Sequence, residues 1–161
     1  MIFVTVGTQL TFDRLIAAVD EWAGKNLTHK VVLQSGVSDI QPEFCEVKEY
    51  IEASEWEQLF HEAEFIIAHA GMGTILKCLD AGKPLIVMPR LESLGEHRND
   101  HQIATVSKFS EIPGIIVAND KTQLFSAINR VQTGQCISAI KQTDNLNKLI
   151  RVLSDFSKSE E

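Results

Sequence analysis

The sequence predicts an α/β fold in which one parallel sheet carries helices on both faces. Short runs of β-branched residues alternate with segments of helical period, which is the pattern of strands joined by crossover helices. At 161 residues and 44% hydrophobic composition, the chain has enough apolar material for one core and is too short for two ordinary domains. We therefore expect a single Rossmann-like domain over residues 1–161, with a helix at its C-terminal end.

Each expected element rests on a local pattern. The strands are short β-branched or apolar runs, at residues 2–6, 30–34, 46–49, 65–68, 85–88 and 114–117. The helices repeat apolar residues at helical spacing, at residues 12–24, 54–63, 75–81, 100–109, 121–131 and about 145–156.

Capping and stop residues mark several helix boundaries. Ser54 and Glu57 are spaced as a capping box at the start of the second helix, and Gly82 with Pro84 is a stop signal after the third. The last helix, within residues 143–158, is predicted to dock on its own domain or on a partner protein. Its apolar stripe consists of Leu146, Leu149, Ile150, Leu153 and Phe156.

Charge and cysteine content exclude several classes of function. A formal net charge of −7 and a pI near 5.2 argue against nucleic acid or anionic lipid as the main partner, because both require a basic face. Cys45, Cys78 and Cys136 show no paired spacing, so we expect free thiols in a reducing compartment. The N-terminal apolar run lacks a positively charged segment before it, which favours a strand in a cytosolic protein over a signal peptide.

The strongest chemical signal is the run H-A-G-M-G-T from His69 to Thr74. Glycines let a backbone approach a ligand and a helix N-terminus offers unpaired N–H groups, so this loop predicts phosphate binding, with a plain turn as the alternative. Its spacing fits neither a dinucleotide fingerprint nor a P-loop. The turn at Gly7 and Thr8 is expected at the same sheet edge, either as a second grip on a diphosphate or as a simple turn with Thr11 capping the next helix.

A long polar stretch follows the fifth strand, at residues 89–102. Its many donors and acceptors favour recognition of sugar hydroxyls, with a solvated loop as the alternative. Two histidines of this stretch, with Glu96 and Asp100, also suggest a metal site. The spacing is not H-E-x-x-H and no further ligand is evident, so no metal is expected.

Two further positions have open roles. Tyr50 and Ile51 follow the third strand and either pack on a base or cap the core beneath the next helix. Asp13 is either a general base or a first-turn carboxylate that the helix dipole favours.

The strings V-T-V-G-T-x-x-x-F-D-x-L, H-A-G-M-G-T, G-K-P-L-I-V-M-P-R and G-E-H-R-N-D-H-Q, in this order, resemble the glycosyltransferase family 28 C-terminal domain. Within that family they resemble PssE-like bacterial exopolysaccharide proteins, which are similar to the cytosolic subunit of the eukaryotic two-subunit N-acetylglucosaminyl transferase. The resemblance covers residues 1–129 and implies the C-terminal, donor-binding half of a GT-B enzyme.

The resemblance also implies site residues. It implies contacts to a donor diphosphate from Gly7, Thr8, Met72, Gly73 and Thr74, and contacts to uracil from Tyr50 and Ile51. It implies contacts to the donor sugar from His101 and Gln102. The other sugar candidates, from the glycine loop and the polar stretch, are His69, Arg90, Glu96, His97 and Arg98. The chain departs from the family at Lys77, where relatives place a glutamate for the ribose hydroxyls, so ribose recognition through that position is in doubt.

By the same resemblance, the chain is expected to need a second protein. A membrane-anchored, PssD-like subunit would bind a lipid-linked saccharide acceptor, supply the general base and hold the chain at the cytoplasmic face of the membrane. The donor is expected to be a UDP-sugar, with glucuronic acid or galactose favoured. For glucuronic acid, Arg90 and Arg98 are able to pair with the uronate carboxylate. No cofactor or metal is expected. The alternative is a non-catalytic regulator or adaptor that binds UDP-sugars.

Overall fold

A computed structural model describes residues 1–8 and 10–134 and confirms the α/β fold. The strands are β1 Ile2–Thr5, β2 Val31–Gln34, β3 Glu46–Lys48, β4 Phe65–His69, β5 Leu85–Met88 and β6 Ile115–Val117. The helices are α1 Asp13–Lys25, α2 Ala53–Glu62, α3 Met72–Ala81, α4 His101–Phe109 and α5 Lys121–Gln132, with a 3₁₀ turn at Glu92–Leu94. The predicted helix at 143–158 and Cys136 lie outside the described residues.

The six described strands form one parallel sheet in the order β3-β2-β1-β4-β5-β6. Strand β1 lies at the centre, where Ile2 pairs with Val31 of β2 and with Phe65 of β4. The chain therefore runs outward from β1 to β3 and then crosses back to β4 on the other side of β1. At such a reversal the loops that leave β1 and β4 diverge, and a crevice opens at the carboxyl ends of the strands.

Helices cover both faces of the sheet, as predicted. One core layer packs α1 and α5 on the sheet face that carries Ile2 and Val4. The other layer packs α2, α3 and α4 on the face that carries Phe3 and Ile66. Because neighbouring strand residues point to opposite faces, a strand buried on both sides is apolar at every position. This explains the continuous apolar runs of β1, β4 and β5.

Three predicted helix starts differ from the structure. The capping box at Ser54 is wrong, because α2 begins at Ala53 with Glu52 at its N-cap and no side-chain cap bond. Thr11 does not cap α1, whose N-cap is Phe12. Helix α3 begins at Met72 rather than residue 75, because the extended Gly71 turns directly into the helix.

The end of α3 and the state of the described cysteines agree with the predictions from sequence. Gly82 ends α3 in the left-handed conformation, with φ 63°. Cys45 and Cys78 are free thiols whose pKa values burial raises to about 12. In the described part of the chain, none of the helices has the length and apolar character needed to span a membrane.

Candidate functional site

A cleft of about 560 Å³ opens at the carboxyl ends of the strands. It lies where the loops after β1, β3, β4 and β5 meet beside the start of α3. Ten of the predicted site residues line it: Gly7, Thr8, Tyr50, Ile51, His69, Gly73, Thr74, Arg90, His97 and Gln102. The fold therefore brings the predicted glycine turns, the predicted base-facing pair and part of the polar stretch to one place.

Five candidates do not line the cleft: Asp13, Met72, Glu96, Arg98 and His101. The Asp13 carboxylate accepts a 2.6 Å hydrogen bond from Ser38. Met72 packs its side chain against the core layer beneath α3, while its backbone stays at the helix start. Arg98 and His101 are exposed to solvent. Their contacts with a donor sugar stay predictions.

The start of α3 presents free hydrogen-bond donors to the cleft. Its N-cap Gly71 makes no side-chain cap bond, and the first intrahelical bond runs from the Ile75 N–H to the Gly71 carbonyl at 3.2 Å. Within the described residues, the N–H groups of Met72, Gly73 and Thr74 have no acceptor. A Cβ atom added at Gly73 would meet nothing within 4 Å. The positive end of the helix dipole and the unpaired N–H groups of this helix start therefore adjoin open space at Gly73, as an anion site requires.

The His69 ring is wedged between the two glycine turns. A Cβ at Gly71 would lie 2.3 Å from its Nε2, and a Cβ at Gly7 would lie 2.7 Å from its Cε1. Gly7 also has φ 80°, which other residues rarely adopt. Both glycines are thus explained by the close approach of the imidazole and, at Gly7, by the backbone conformation.

Burial keeps this imidazole neutral. It lowers the pKa of His69 to about 4, and the nearby positive charge of Arg90 acts in the same direction, while the Thr5 backbone opposes the shift. The Nδ1 atom is buried and makes no hydrogen bond of good geometry within the described part of the chain. At neutral pH His69 is a neutral ring able to donate or accept one hydrogen bond towards the cleft.

A buried polar network supports the Gly7 turn from below. The Thr5 hydroxyl donates to Gln34 Oε1 at 2.6 Å, and Gln34 Nε2 donates to the Gly7 carbonyl at 3.1 Å. Both side chains are buried and both line the cleft. Neither was singled out from sequence, although a glutamine that closes the apolar run of β2 is a usable signal, because parallel strands end at the binding edge.

Arg90 joins the loops that follow β1 and β5. Its side chain is only 2% exposed, and its guanidinium donates to the backbone carbonyls of Val6, Thr11 and Glu96 at 2.7, 2.6 and 3.0 Å. The guanidinium carbon lies 4.7 Å from the centre of the Phe12 ring. No described carboxylate is hydrogen-bonded to this cation, but the Glu96 carboxylate is near enough to interact with it electrostatically.

Glu96 and Gln102 hold the same loops by further bonds. Both Glu96 oxygens accept from Arg14 at 2.8 Å, and one also accepts from the Leu91 N–H. Gln102 Oε1 accepts from the N–H groups of Ala70 and Arg90, at 3.2 and 3.1 Å. Arg14 was missed at the sequence level because nothing in α1 signals a partner so far along the chain. The Glu96 carboxylate and the Gln102 side-chain oxygen therefore stabilise the protein itself. A contact of either residue with a sugar stays a prediction.

One end of the cleft is aromatic. Tyr50 is 66% exposed beside Ile51, and Trp56 stacks on Phe60 with ring centres 5.2 Å apart. Lys77 reaches this end from α3. Trp56, which lines the cleft, was also missed at the sequence level. An exposed aromatic surface next to a cation suits a flat, polar ring.

The lining of the cleft carries positive charge. Lys77 and Arg90 line it, whereas none of its lining residues is Asp or Glu. The carboxylates that balance these cations lie outside the lining, since Lys77 is ion-paired with Glu57 and Arg90 interacts electrostatically with Glu96. In the described residues, no three His, Cys, Asp or Glu side chains are grouped to hold a metal ion.

Comparisons with known sequences agree with this geometry. The glycosyltransferase family 28 C-terminal domain matches residues 1–155. The chain is 32% identical over 110 residues to the Homo sapiens protein named UDP-N-acetylglucosamine transferase subunit ALG13, which covers 60% of the chain and 9% of the relative. The Mus musculus protein of the same name is 32% identical over 109 residues, with the same coverage. The chain thus spans about a tenth of the length of these relatives.

Solved structures share the fold. The glycotransferase of kitacinnamycin superimposes with a TM-score of 0.62 at 19% identity, covering 96% of the chain and 39% of that structure. The solution structure of ALG13 gives 0.59 at 20% identity, covering 82% and 85%. The calicheamicin glycosyltransferase CalG4 gives 0.59 at 15% identity, covering 96% and 38%. In the first and third structures, the fold corresponds to less than half of the solved chain.

Proposed function

The chain belongs to the family of glycosyltransferase family 28 C-terminal domains, and from that premise we propose that it binds a UDP-sugar and transfers the sugar together with a partner subunit. Its fold is that of the C-terminal domain of GT-B glycosyltransferases. The observation that carries the proposal is the cleft, where a cationic lining without carboxylates adjoins an unoccupied helix start and an aromatic end.

A nucleoside diphosphate sugar suits the cleft in size and in the sequence of polar and aromatic surfaces along it. A diphosphate placed at the start of α3 accepts hydrogen bonds from the N–H groups of Gly73 and Thr74 and gains from the helix dipole. The Gly7 turn supplies the opposite wall. A uracil ring then extends to Tyr50 and Ile51, and the sugar extends toward His97 and Gln102. A volume of about 560 Å³ is within the usual range for a ligand of this size.

In an inverting transfer, an acceptor hydroxyl oxygen attacks the anomeric carbon as the bond from that carbon to the diphosphate oxygen breaks. Negative charge grows on the leaving diphosphate, so fixed N–H donors at α3 and the buried charge of Arg90 favour the transition state. The proton of the acceptor hydroxyl passes to a general base. No metal is needed for charge stabilisation in this scheme.

The general base is proposed to come from the partner. Asp13 is hydrogen-bonded to Ser38 and lies outside the cleft lining. The neutral His69 is a weak base, because its pKa is about 4. A membrane-anchored, PssD-like subunit would place both the base and a lipid-linked saccharide over the cleft, at the cytoplasmic face of the membrane in exopolysaccharide or capsule synthesis. The human and mouse relatives are each named as a transferase subunit, which supports a split enzyme.

The transferred sugar is proposed to be glucuronic acid or galactose. The charge of Arg90 supports a uronate electrostatically, although its donors already bind backbone carbonyls. N-acetylglucosamine is a second candidate, since the mammalian relatives are named for it. Calorimetric titration with UDP-glucuronate, UDP-galactose, UDP-glucose and UDP-N-acetylglucosamine ranks the donors directly.

The test of the proposal has two stages. The purified chain is expected to bind UDP more tightly than it binds uridine or pyrophosphate, because the cleft has both an anion end and an aromatic end. Transfer to a lipid-linked acceptor is expected only after a partner is added. Robust transfer by the chain alone contradicts the split enzyme, and donor binding without transfer in the presence of the partner favours a regulatory protein or adaptor.

A further inference from the structure

We infer that Arg14, which lies outside the cleft, is a positioning residue for the donor sugar and acts through Glu96 on the loop that carries His97. This inference rests on the proposed donor binding. Arg14 stands in the first turn of α1, and Glu96 lies in the loop after β5. Neither residue is among those that line the cleft, whereas His97 is. An effect of Arg14 on a bound sugar therefore has to pass through the residues that it holds.

The guanidinium of Arg14 joins α1 to the loops that follow β5 and β6. Its Nε and Nη2 atoms donate to the two carboxylate oxygens of Glu96, both at 2.8 Å. Nη2 also donates to the Pro89 carbonyl, and Nη1 donates to the Asn119 carbonyl, each at 2.8 Å. Pro89 directly follows β5, so one side chain of α1 fixes both the start of this loop and the residue before His97.

Glu96 is held at its carboxylate and at its backbone. Its side chain is 9% exposed and that of Arg14 is 24% exposed, so solvent screens the pair only in part. Two parallel bonds between a guanidinium and a carboxylate fix direction as well as distance. The same carboxylate accepts from the Leu91 N–H at 2.9 Å, and the Glu96 carbonyl accepts from Arg90 at 3.0 Å. The chain therefore enters His97 from a residue whose position is fixed.

The loop held by Arg14 borders the end of the cleft that is proposed for the sugar. His97 Nδ1 lies 3.0 Å from the Asn99 carbonyl, which leaves Nε2 for a ligand. A hydrogen bond from this atom to a sugar hydroxyl tolerates only a few tenths of an ångström of displacement. The phosphate end is built on the N–H groups of Gly73 and Thr74, and the four hydrogen bonds of Arg14 do not reach it. Loss of these bonds is therefore expected to displace His97 and to leave the nucleotide site in place.

The experiment compares, by calorimetry, the Kd for UDP with the Kd for a UDP-sugar. The sugar is the tightest-binding of UDP-glucuronate, UDP-galactose, UDP-glucose and UDP-N-acetylglucosamine. Arg14→Met is expected to raise the ratio of the UDP-sugar Kd to the UDP Kd about tenfold, as for one lost hydrogen bond. Arg14→Lys keeps the charge but not the paired bonds, so it is expected to fold and to raise the ratio in the same direction by less.

A double variant tests whether Arg14 acts through Glu96. Glu96→Gln alone is expected to raise the ratio as Arg14→Met does, because either change breaks the same pair of bonds. The variant that carries both changes is expected to show no larger ratio than either one, since the two residues act as a unit. Changes in the ratio that add in the double variant would overturn action through Glu96.

Lys121→Met is the matched control, because it also removes an ion pair of α1, with Glu21 at 2.8 Å, and Lys121 does not line the cleft. It is expected to leave the ratio unchanged. Equal losses of affinity for UDP and for the UDP-sugar in the Arg14 variants, an unchanged ratio, or loss of folding in both would assign Arg14 to stability alone and overturn the inference. Failure of the wild-type chain to bind UDP would instead remove the donor-binding proposal on which it rests.

Discussion

Replacing Gly73 by alanine is expected to stabilise the fold while weakening donor binding. Gly73 stands in the first turn of α3 and does not have a positive φ. An added Cβ meets nothing within 4 Å, so alanine fits without strain. A Gly→Ala change at a compatible site stabilises by about 0.4–1 kcal/mol, mainly by restricting the unfolded chain. For a protein of this size we expect a rise in Tm of about 1–4 °C.

The same open space is where a phosphate has to approach. A methyl group there keeps the diphosphate from the N–H groups of Gly73 and Thr74. Each hydrogen bond to a charged acceptor is worth about 1.5–3 kcal/mol, so loss of one bond lowers affinity for UDP by about 10- to 100-fold. Gly73→Asp is expected to abolish binding, because its carboxylate repels the diphosphate, while the helix dipole keeps the fold stable.

Thermal melting and calorimetric titration with UDP measure the two effects on the same samples. Thr122→Ala in the first turn of α5 is the control, because it changes a helix start that does not border the cleft. A Gly73→Ala chain that binds UDP like the wild type would refute the placement of the phosphates. A marked fall in its Tm would refute the argument that the space is open.

Three other predictions concern the walls of the cleft. Gly71→Ala is expected to destabilise the fold by about 1–3 kcal/mol, since its Cβ would lie 2.3 Å from the His69 ring. Urea unfolding should show a smaller loss of stability when the same change is made in a His69→Ala background. An equal loss there would contradict the close contact between Gly71 and the His69 ring. Arg90→Met is expected to lower the free energy of unfolding by about 3 kcal/mol or more, because buried carbonyls lose their hydrogen-bond donor. The midpoint of its unfolding transition should therefore fall. A stable Arg90→Met chain that lost only UDP-sugar binding would instead favour direct contact of Arg90 with the sugar. The stabilising contribution of a neutral His69 is expected to be full well above pH 6.5 and to fall by about 3 kcal/mol as the pH approaches 4, because the pKa of His69 is about 4 in the fold and 6.5 in the unfolded chain, which therefore binds the proton first. This part of the pH dependence of unfolding should be absent from His69→Gln, and an identical pH profile in that variant would count against it.

The two glycines of the H-A-G-M-G-T run illustrate what could be predicted from sequence. Their spacing and their place before a helix indicated a phosphate loop, and in the fold this loop lies at the carboxyl ends of the strands and borders the cleft. The spacing did not distinguish their roles. Gly71 is required by the nearby His69 ring, whereas the space at Gly73 is open. That difference depends on the direction of one imidazole, which local sequence does not specify.

The polar stretch at 89–102 shows the opposite case. Its composition favoured recognition of sugar hydroxyls, with Arg90 and Glu96 among the candidate residues. The structure commits the guanidinium of Arg90 and the carboxylate of Glu96 to partners far along the chain, such as Val6 and Arg14. Composition alone does not separate side chains that join loops from side chains that face a ligand.

The sequence by itself determined the order of strands and helices, the two-sided burial of the sheet and the presence of a glycine-rich helix start. These follow from local patterns, because the alternation of apolar residues and the conformations open to glycine act over a few neighbouring positions. The tertiary structure alone decided which polar groups face the cleft. The reversal of strand order beside β1 brings together residues more than 80 positions apart, as in the bond from Arg14 to Glu96. Once such partners satisfy a buried charge, only the groups left unpaired, such as the N–H groups at the start of α3, remain for a ligand.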